Sequence, residues 1–287
     1  MEEINLLEIF GNYMAWKLTE RTWVIQFMNG SEYIYLLEGN EKALLLDTGY
    51  AAGNLRAFAE KLTDKPIIVA NTHFHPDHAA GNGEFEEVMM SAGYVLDEPS
   101  VTEPGTGPFD INNLPHPDYK KIILHDGDKI DLGGRVIEVW EARPAHCNSS
   151  LFFFDPGYGL FFCGDDLESA QVMMFDNSHN PVSVANYDVK DRLDSMKANT
   201  MRMKALGNQI KYLLPNHNGT PISLEYIDDF IGLIDHIYAG DAVIEDKLNH
   251  KYVEMEDYAA ELCRVRWKGA SIFIKKAEVM KVYGSER

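Results

Sequence analysis

A mixed α/β fold is predicted by three observations: short β-rich runs early in the chain, a helix-then-strand unit between Leu55 and Ala70, and long helical periodicities late. Val24-Ile25-Gln26-Phe27, Tyr33-Ile34-Tyr35-Leu36-Leu37 and Ala43-Leu44-Leu45-Leu46-Asp47 are rich in β-branched, aromatic and aliphatic side chains. Glu38-Gly39-Asn40-Glu41 supplies the turn before the third run. Leu55 to Leu62 has helical spacing and stops at Thr63-Asp64-Lys65-Pro66. Ile67-Ile68-Val69-Ala70 then reads as a buried strand.

Further on, Lys129 to Glu141 holds two strand-like runs around Leu132-Gly133-Gly134. Leu151-Phe152-Phe153-Phe154 and Leu160-Phe161-Phe162-Cys163, joined by Asp155-Pro156-Gly157-Tyr158-Gly159, read as a hairpin with a long turn. Val189 to Leu206 and Ile222 to Ala239 read as helices. Two stretches lack periodicity. Asp97 to Tyr119 is broken by Pro99, Pro104, Pro108, Pro115 and Pro117, and reads as a lid loop. Ser169 to Asp188 carries Met173, Met174, Phe175, His179 and Tyr187. Both are expected to wall a pocket with apolar surface. No internal repeat is visible.

Composition narrows the function classes. A chain of 287 residues buries a substantial core. No apolar run reaches the ~18 residues that a membrane helix needs. Acid follows Met1 at Glu2 and Glu3, where a secretory leader carries base, so cytoplasmic residence is expected. The three cysteines, Cys147, Cys163 and Cys263, cannot all pair and lack zinc-knuckle spacing, which also favours a reducing compartment. A formal net charge of -19 repels polyanions, which argues against nucleic acid and for a small-molecule substrate.

The chemistry is concentrated in His73-Phe74-His75-Pro76-Asp77-His78, four potential metal ligands in six residues. Imidazole and carboxylate suit zinc, iron or manganese. In extended chain, residues two apart point the same way, so His73 and His75 can converge on one ion. Pro76 forces a turn, which can send Asp77 and His78 toward a neighbouring ion.

Asn71-Thr72-His73-Phe74-His75-Pro76-Asp77-His78, followed by Gly81-Asn82, resembles the signature loop of the metallo-β-lactamase-fold superfamily. Three further matches follow in order. His146 lies in Pro144-Ala145-His146-Cys147-Asn148-Ser149-Ser150, Asp165 ends the apolar run Leu160-Phe161-Phe162-Cys163-Gly164-Asp165, and His217 lies in Leu214-Pro215-Asn216-His217-Asn218-Gly219. Leu44-Leu45-Leu46-Asp47-Thr48-Gly49 matches an early structural element of that fold. The resemblance runs from about Trp23 to His217.

The resemblance implies a four-layer αββα sandwich in one domain over residues 1–287, with the 97–119 loop as lid and a helical elaboration from residue 222. It implies that His73, His75 and His146 hold one divalent ion, that Asp77, His78 and His217 hold another, and that Asp165 bridges them. Zinc is the first expectation, iron or manganese the next. Two ions about 3.5–4 Å apart share a hydroxide and clamp attacking and leaving oxygens. Asp77 would also be catalytic, orienting that hydroxide and carrying a proton to the leaving group. Asp47 would be a structural carboxylate supporting the metal loops. The expected activity is hydrolysis of a small carboxylic ester, thioester or lactone, in the glyoxalase II-like branch. Phosphodiester hydrolysis, and sulfur dioxygenation on a single iron held by the first group, stay open as alternatives.

Other residues have plainer readings. Ser149 and Ser150 read as turn residues, Cys163 as a small buried hydrophobe, and Cys147 as no ligand. His116, His125, His236 and His250 read as solvent-facing or helix-face histidines. His179, with Tyr187, is the candidate for substrate contact.

Overall fold

The computed structural model describes residues 7–28, 30–50, 54–97, 119–169, 171–174, 188–246 and 261–286. One sheet has eight strands in sequence order: β1 (Leu7–Phe10), β2 (Tyr13–Thr19), β3 (Thr22–Phe27), β4 (Tyr33–Glu38), β5 (Ala43–Leu46), β6 (Ile67–Ala70), β7 (Glu87–Ser91) and β8 (Lys120–Leu124). The first five run antiparallel, and β5 to β8 run parallel. The second sheet is built from β9 (Lys129–Asp131), β10 (Val136–Glu141), β11 (Leu151–Asp155), β12 (Leu160–Gly164) and β14 (Tyr212–Pro215), in the order β14-β12-β11-β10-β9. Only β12 and β14 are parallel in it, so both end at the same edge.

Strand alternation sends successive side chains to opposite faces. Three apolar layers result. Between the sheets, Tyr35, Leu37, Leu44 and Leu46 meet Ile137, Val139, Leu151, Phe153, Phe162 and Leu214. On the outer face of the first sheet, Ile34, Leu36, Leu45 and Val69 pack on Leu55, Phe58 and Ala59 of helix α1 (Leu55–Leu62), which stand three and four residues apart on one face. The outer face of the second sheet, with Phe152, Phe154, Phe161 and Leu213, is covered by two helices separated from α1 by two short ones, α2 (Pro76–Ala79) and α3 (Ala92–Asp97). These are α4 (Val189–Lys204) and α5 (Glu225–Ala239). Asp188 caps α4 by accepting the Asp191 amide, and Gly240, at φ 72°, closes α5. Helix, sheet, sheet, helix is the predicted αββα sandwich.

Three details depart from expectation. The hairpin of β1 and β2 precedes the first strand legible in the sequence. Ile222 pairs with Leu213 in an isolated bridge, and α5 begins at Glu225. The expected helical elaboration beyond residue 222 is corrected: after α5 come β15 (Val243–Glu245), β16 (Leu262–Trp267), β17 (Ala270–Lys275) and the four-residue helix α6 (Lys276–Val279). These strands join β13 (Val172–Met173) in a third sheet, and Val265, Ile272 and Ile274 bury their side chains in the same layer as α5. Of the loop expected at 97–119, residues 98–118 lie outside the described residues; Tyr119 is buried. Among the described residues no helix is long and apolar enough to cross a membrane.

At the edge far from β6's carboxyl end, a buried ion pair locks the sheets together. Arg135 Nε and Nη2 reach Asp155 Oδ2 at 2.8 and 2.7 Å, Nη1 donates to the carbonyls of Arg21 and Glu38, and Nη2 to Thr22 Oγ1. Both partners are buried. Asp155→Ala should therefore cost ~3–5 kcal/mol in denaturant unfolding, because it strands a buried guanidinium. Replacing both partners by Arg135→Met with Asp155→Leu should cost clearly less; equal losses would show that the pair carries no coupling.

Candidate metal centre

The predicted donors all sit where strands end. Asp47 follows β5, residues 71–75 follow β6, Asp165 follows β12 and His217 follows β14, while His146 lies in the β10–β11 connection. Pro76 opens α2 immediately after His75, its missing amide costing nothing at a helix start, and so turns Asp77 and His78 back toward the sheet edge. Gly164 takes φ 55°, which lets the chain leave β12 and aim Asp165 inward. Gly81 allows a close approach: a β-carbon there would meet the Thr48 carbonyl oxygen at 2.4 Å.

Seven side chains converge in two adjoining groups, His73, His75, His146 and Asp165 in one, Asp77, His78 and His217 in the other. In the first, His75 Nδ1 lies 3.0 Å from His73 Nε2 and 2.9 Å from His146 Nε2. In the second, His78 Nε2 and His217 Nε2 are 3.1 Å apart, and Asp77 Oδ2 is 3.2 Å from His217 Nε2. Asp165 stands between them. Its Oδ2 is 3.6 and 3.7 Å from His73 and His146, and 3.3 and 3.5 Å from His78 and His217. Its Oδ1 is buried and has no hydrogen-bond partner among the described residues.

Supporting contacts fix which imidazole nitrogen faces the centre. The carboxylate of Asp47, fully buried at φ 68°, accepts from the Thr72 amide at 2.6 Å, Thr72 Oγ1 at 2.7 Å, Asn216 Nδ2 at 2.7 Å and His78 Nδ1 at 3.2 Å. His78 is thereby left with its Nε2 lone pair turned inward. Thr72 has given its hydroxyl proton to Asp47, so it accepts from His73 Nδ1 at 3.0 Å and leaves His73 Nε2 bare. The Met173 carbonyl does the same for His146, taking Nδ1–H at 2.7 Å. Ser31 Oγ lies 3.3 Å from His217 Nδ1. Asn82 and Asn71 exchange hydrogen bonds, and Asn71 also donates to the His78 carbonyl, which secures the turn.

This arrangement fits a divalent cation. Three imidazole nitrogens only 2.9–3.0 Å apart cannot all be satisfied by one another, since a neutral ring has a single N–H to give, whereas a cation can take all their lone pairs at once. Ligands at ~2.1 Å from a tetrahedral ion stand about 3.4 Å apart, close to the separations around Asp165. The electrostatics agree. Burial, with His78 beside it, keeps His73 far below its usual pKa, and burial with His146 takes His75 down to about 3, so both stay neutral donors. Burial opposes charge on His78 and His217, yet Asp165 and Asp77 overrule it: His78 is held well above its ordinary range and His217 is raised to about 9. Where no cation neutralises the carboxylates, protons do.

Other candidates fall elsewhere. Cys147 belongs to neither group; burial pushes its thiol to about 12, and its sulfur rests against Ser149 and Ser150 Oγ. Ser149 Oγ accepts the Phe74 amide, a structural role. Met174, expected on a pocket wall, is instead buried in the layer beneath α4 and α5. His125 is exposed, and His236 stacks on Trp267. His179 and Tyr187, with His116, Phe109, Phe175 and His250, lie outside the described residues. A cavity of about 890 Å³ opens at the opposite ends of β6 and β7, lined by Lys65, Ile67, Glu86 and Met89 among others, without a histidine or cysteine. Sequence reasoning missed Ser31, the Met173 carbonyl, Asn216 and Tyr50, whose hydroxyl lies 3.5 Å from Asp77 Oδ2.

Comparison with known proteins agrees with this geometry. The family described as the metallo-beta-lactamase superfamily matches residues 29–200, more than half of the chain. Acyl-coenzyme A thioesterase MBLAC2 of Homo sapiens is 26% identical over 159 residues, which cover 46% of this chain and 57% of that protein. Hydroxyacylglutathione hydrolase of Nostoc punctiforme is 29% identical over 144 residues, 48% of this chain and 50% of that protein. The chain spans about half the length of these curated relatives. Among solved structures, a metallo-beta-lactamase from Pontibacter korlensis superposes with a TM-score of 0.56 at 18% identity, covering 80% of this chain and 99% of that one. The sec-alkylsulfatase Pisa1 from Pseudomonas sp. gives 0.58 at 15% identity, covering 78% and 42%. At such identity they speak for the fold alone. By motif, donor geometry and family match, the chain belongs to the metallo-β-lactamase superfamily.

Proposed function

We propose that this chain is a metal-dependent hydrolase of a small thioester, with a centre for two divalent ions, zinc first among them. The observation that carries the reading is the carboxylate of Asp165, within 3.3–3.7 Å of histidines of both groups and with an Oδ1 that has no hydrogen-bond partner among the described residues. Imidazole and carboxylate donors without a thiolate suit zinc, manganese or iron. The thioester preference is supported by the two relatives, whose names give acyl-coenzyme A and hydroxyacylglutathione as substrates.

His73, His75 and His146 would hold one ion, Asp77, His78 and His217 the other, with Asp165 shared. When bound, such ions polarise a carbonyl and bring the pKa of water toward neutrality. The chain's own part is placement and proton transfer. Asp77 has solvent access, its side chain 21% exposed. Burial resists its charge, but His78 and His217 hold its carboxyl well below the usual range, so it is ionised at neutral pH. In this role its carboxylate takes the proton of the attacking water and returns it to the sulfur as the C–S bond breaks and the C–O bond forms. The products are a carboxylic acid and a thiol.

Three tests follow. Protein purified without chelator should contain two metal equivalents by elemental analysis, and Asp165→Asn should lose both ions more readily; one tightly held iron with oxygen-dependent turnover would defeat the reading. Asp77→Asn should lower kcat by roughly 10²–10⁴-fold, the usual span for general acid–base catalysis; near-normal kcat would remove Asp77 from the mechanism. In a panel of an acyl-coenzyme A, a hydroxyacylglutathione, an oxygen ester, a lactone and a phosphodiester, a thioester should show the highest kcat/KM. Preference for the phosphodiester would overturn the assignment.

A further inference from the structure

Glu32 is a buried acid that the proposed reaction does not use. It lies just before β4, wholly enclosed, and neither carboxylate oxygen has a hydrogen-bond partner among the described residues. Such a group is expensive to bury and calls for a compensating charge. Its place is tightly defined. A β-carbon on Gly30 would lie 2.2 Å from Oε2, and one on Gly49 would lie 3.5 Å from Oε1. Gly49 bridges Ala79, and its carbonyl accepts the Gly81 amide, so Glu32 rests against the backbone that holds the Asp77–His78 turn. On its other side, adjacent Ser31 contacts His217.

The charged side chains that act most strongly on Glu32 are Asp77, His78 and His217, all of the second donor group. Burial raises its pKa to about 7; its own backbone amide lowers it, Asp77 adds to the rise, and His78 and His217 oppose it. Among the described residues neither oxygen is hydrogen-bonded to a lysine or arginine. A cation on the second group would supply the compensating charge it lacks.

We propose that Glu32 is a positioning residue for the second metal ion: without ligating it, its carboxylate supplies outer negative charge that tightens cation binding by Asp77, His78 and His217, and leaves the first group unaffected. The proposal rests on the dinuclear reading above, and the test separates the two. Metal-stripped wild type and Glu32→Gln are titrated with zinc against a competing chromophoric chelator, and Tm is recorded with and without zinc. Removing a supporting group of this kind costs on the order of 10–100-fold in metal affinity. Glu32→Gln should lose that much on the second equivalent only. Above pH ~7, where the carboxyl is charged, the metal-free variant should melt no lower than wild type, and zinc should raise its Tm by less.

A purely structural carboxyl predicts the reverse: a lower metal-free Tm and an unchanged second affinity, which would overturn the proposal. Equal weakening of both equivalents would overturn it too. Glu32→Leu serves as a second variant, and loss of folding in both would assign the carboxyl to structure and refute the proposal. If wild type takes up only one ion, the dinuclear reading fails first; if it takes up two and Glu32→Gln matches it, only the role of Glu32 fails.

Discussion

The carboxylate of Asp47 is the interaction on which the centre depends. Four donors from two separate stretches of chain reach it: the amide and hydroxyl of Thr72 and the ring of His78 from one, and the side chain of Asn216 from the other. It thereby ties the ends of β5, β6 and β14 to one point. It also settles proton positions, directly on His78 and through Thr72 on His73. An amide in its place would keep the shape but could not accept all four protons, since one end of it donates. The positive φ of Asp47 belongs to the same design: a residue in that conformation can turn its side chain back beneath the loop it supports.

That arrangement needs a rigid frame, and the three apolar layers provide it. Leu44 and Leu46 point between the sheets while Leu45 points out to α1, so β5 is gripped on both faces up to the residue before Asp47. Phe161, Phe162 and Cys163 grip β12 in the same alternating way up to Gly164. Strand ends held like this leave their loops little freedom. Asp47, Gly49, Gly164, Asn218 and Gly219, all at positive φ, lie at this edge, where the packed strands beneath can sustain them.

Much of this was legible in the sequence, for reasons that differ from residue to residue. His73, His75, Asp77 and His78 are local, and their spacing alone announces them. Asp165 and His217 are far apart in sequence, and their strand-end settings identified them only through the family resemblance. The C-terminal strands carried a signal as well: Lys268-Gly269 is a two-residue turn between the β-rich runs Leu262–Trp267 and Ala270–Lys275, a hairpin pattern overshadowed by the long helical period upstream. Other features had no signal to read. The Met173 contact to His146 is made by a backbone carbonyl, which any residue carries. Glu32 resembles any polar residue just before a strand, and its burial arises only when Gly30 and Gly49 close over it.

The buried acids show how charge is divided in so acidic a chain. Asp155 meets Arg135 and is neutralised within the protein. Asp165 and Asp77 instead face imidazoles, which balance them only by holding protons, as the raised pKa values of His78 and His217 record. Glu32 has no such partner among the described residues. Of the three carboxylates left without an internal base, Glu32, its pKa raised to about 7 by burial, is the one whose charge burdens the metal-free fold; Asp165 and Asp77 are balanced there by protons on His78 and His217, which cations would displace in the proposed reading. Metal affinity and folding stability are then one quantity seen from two sides.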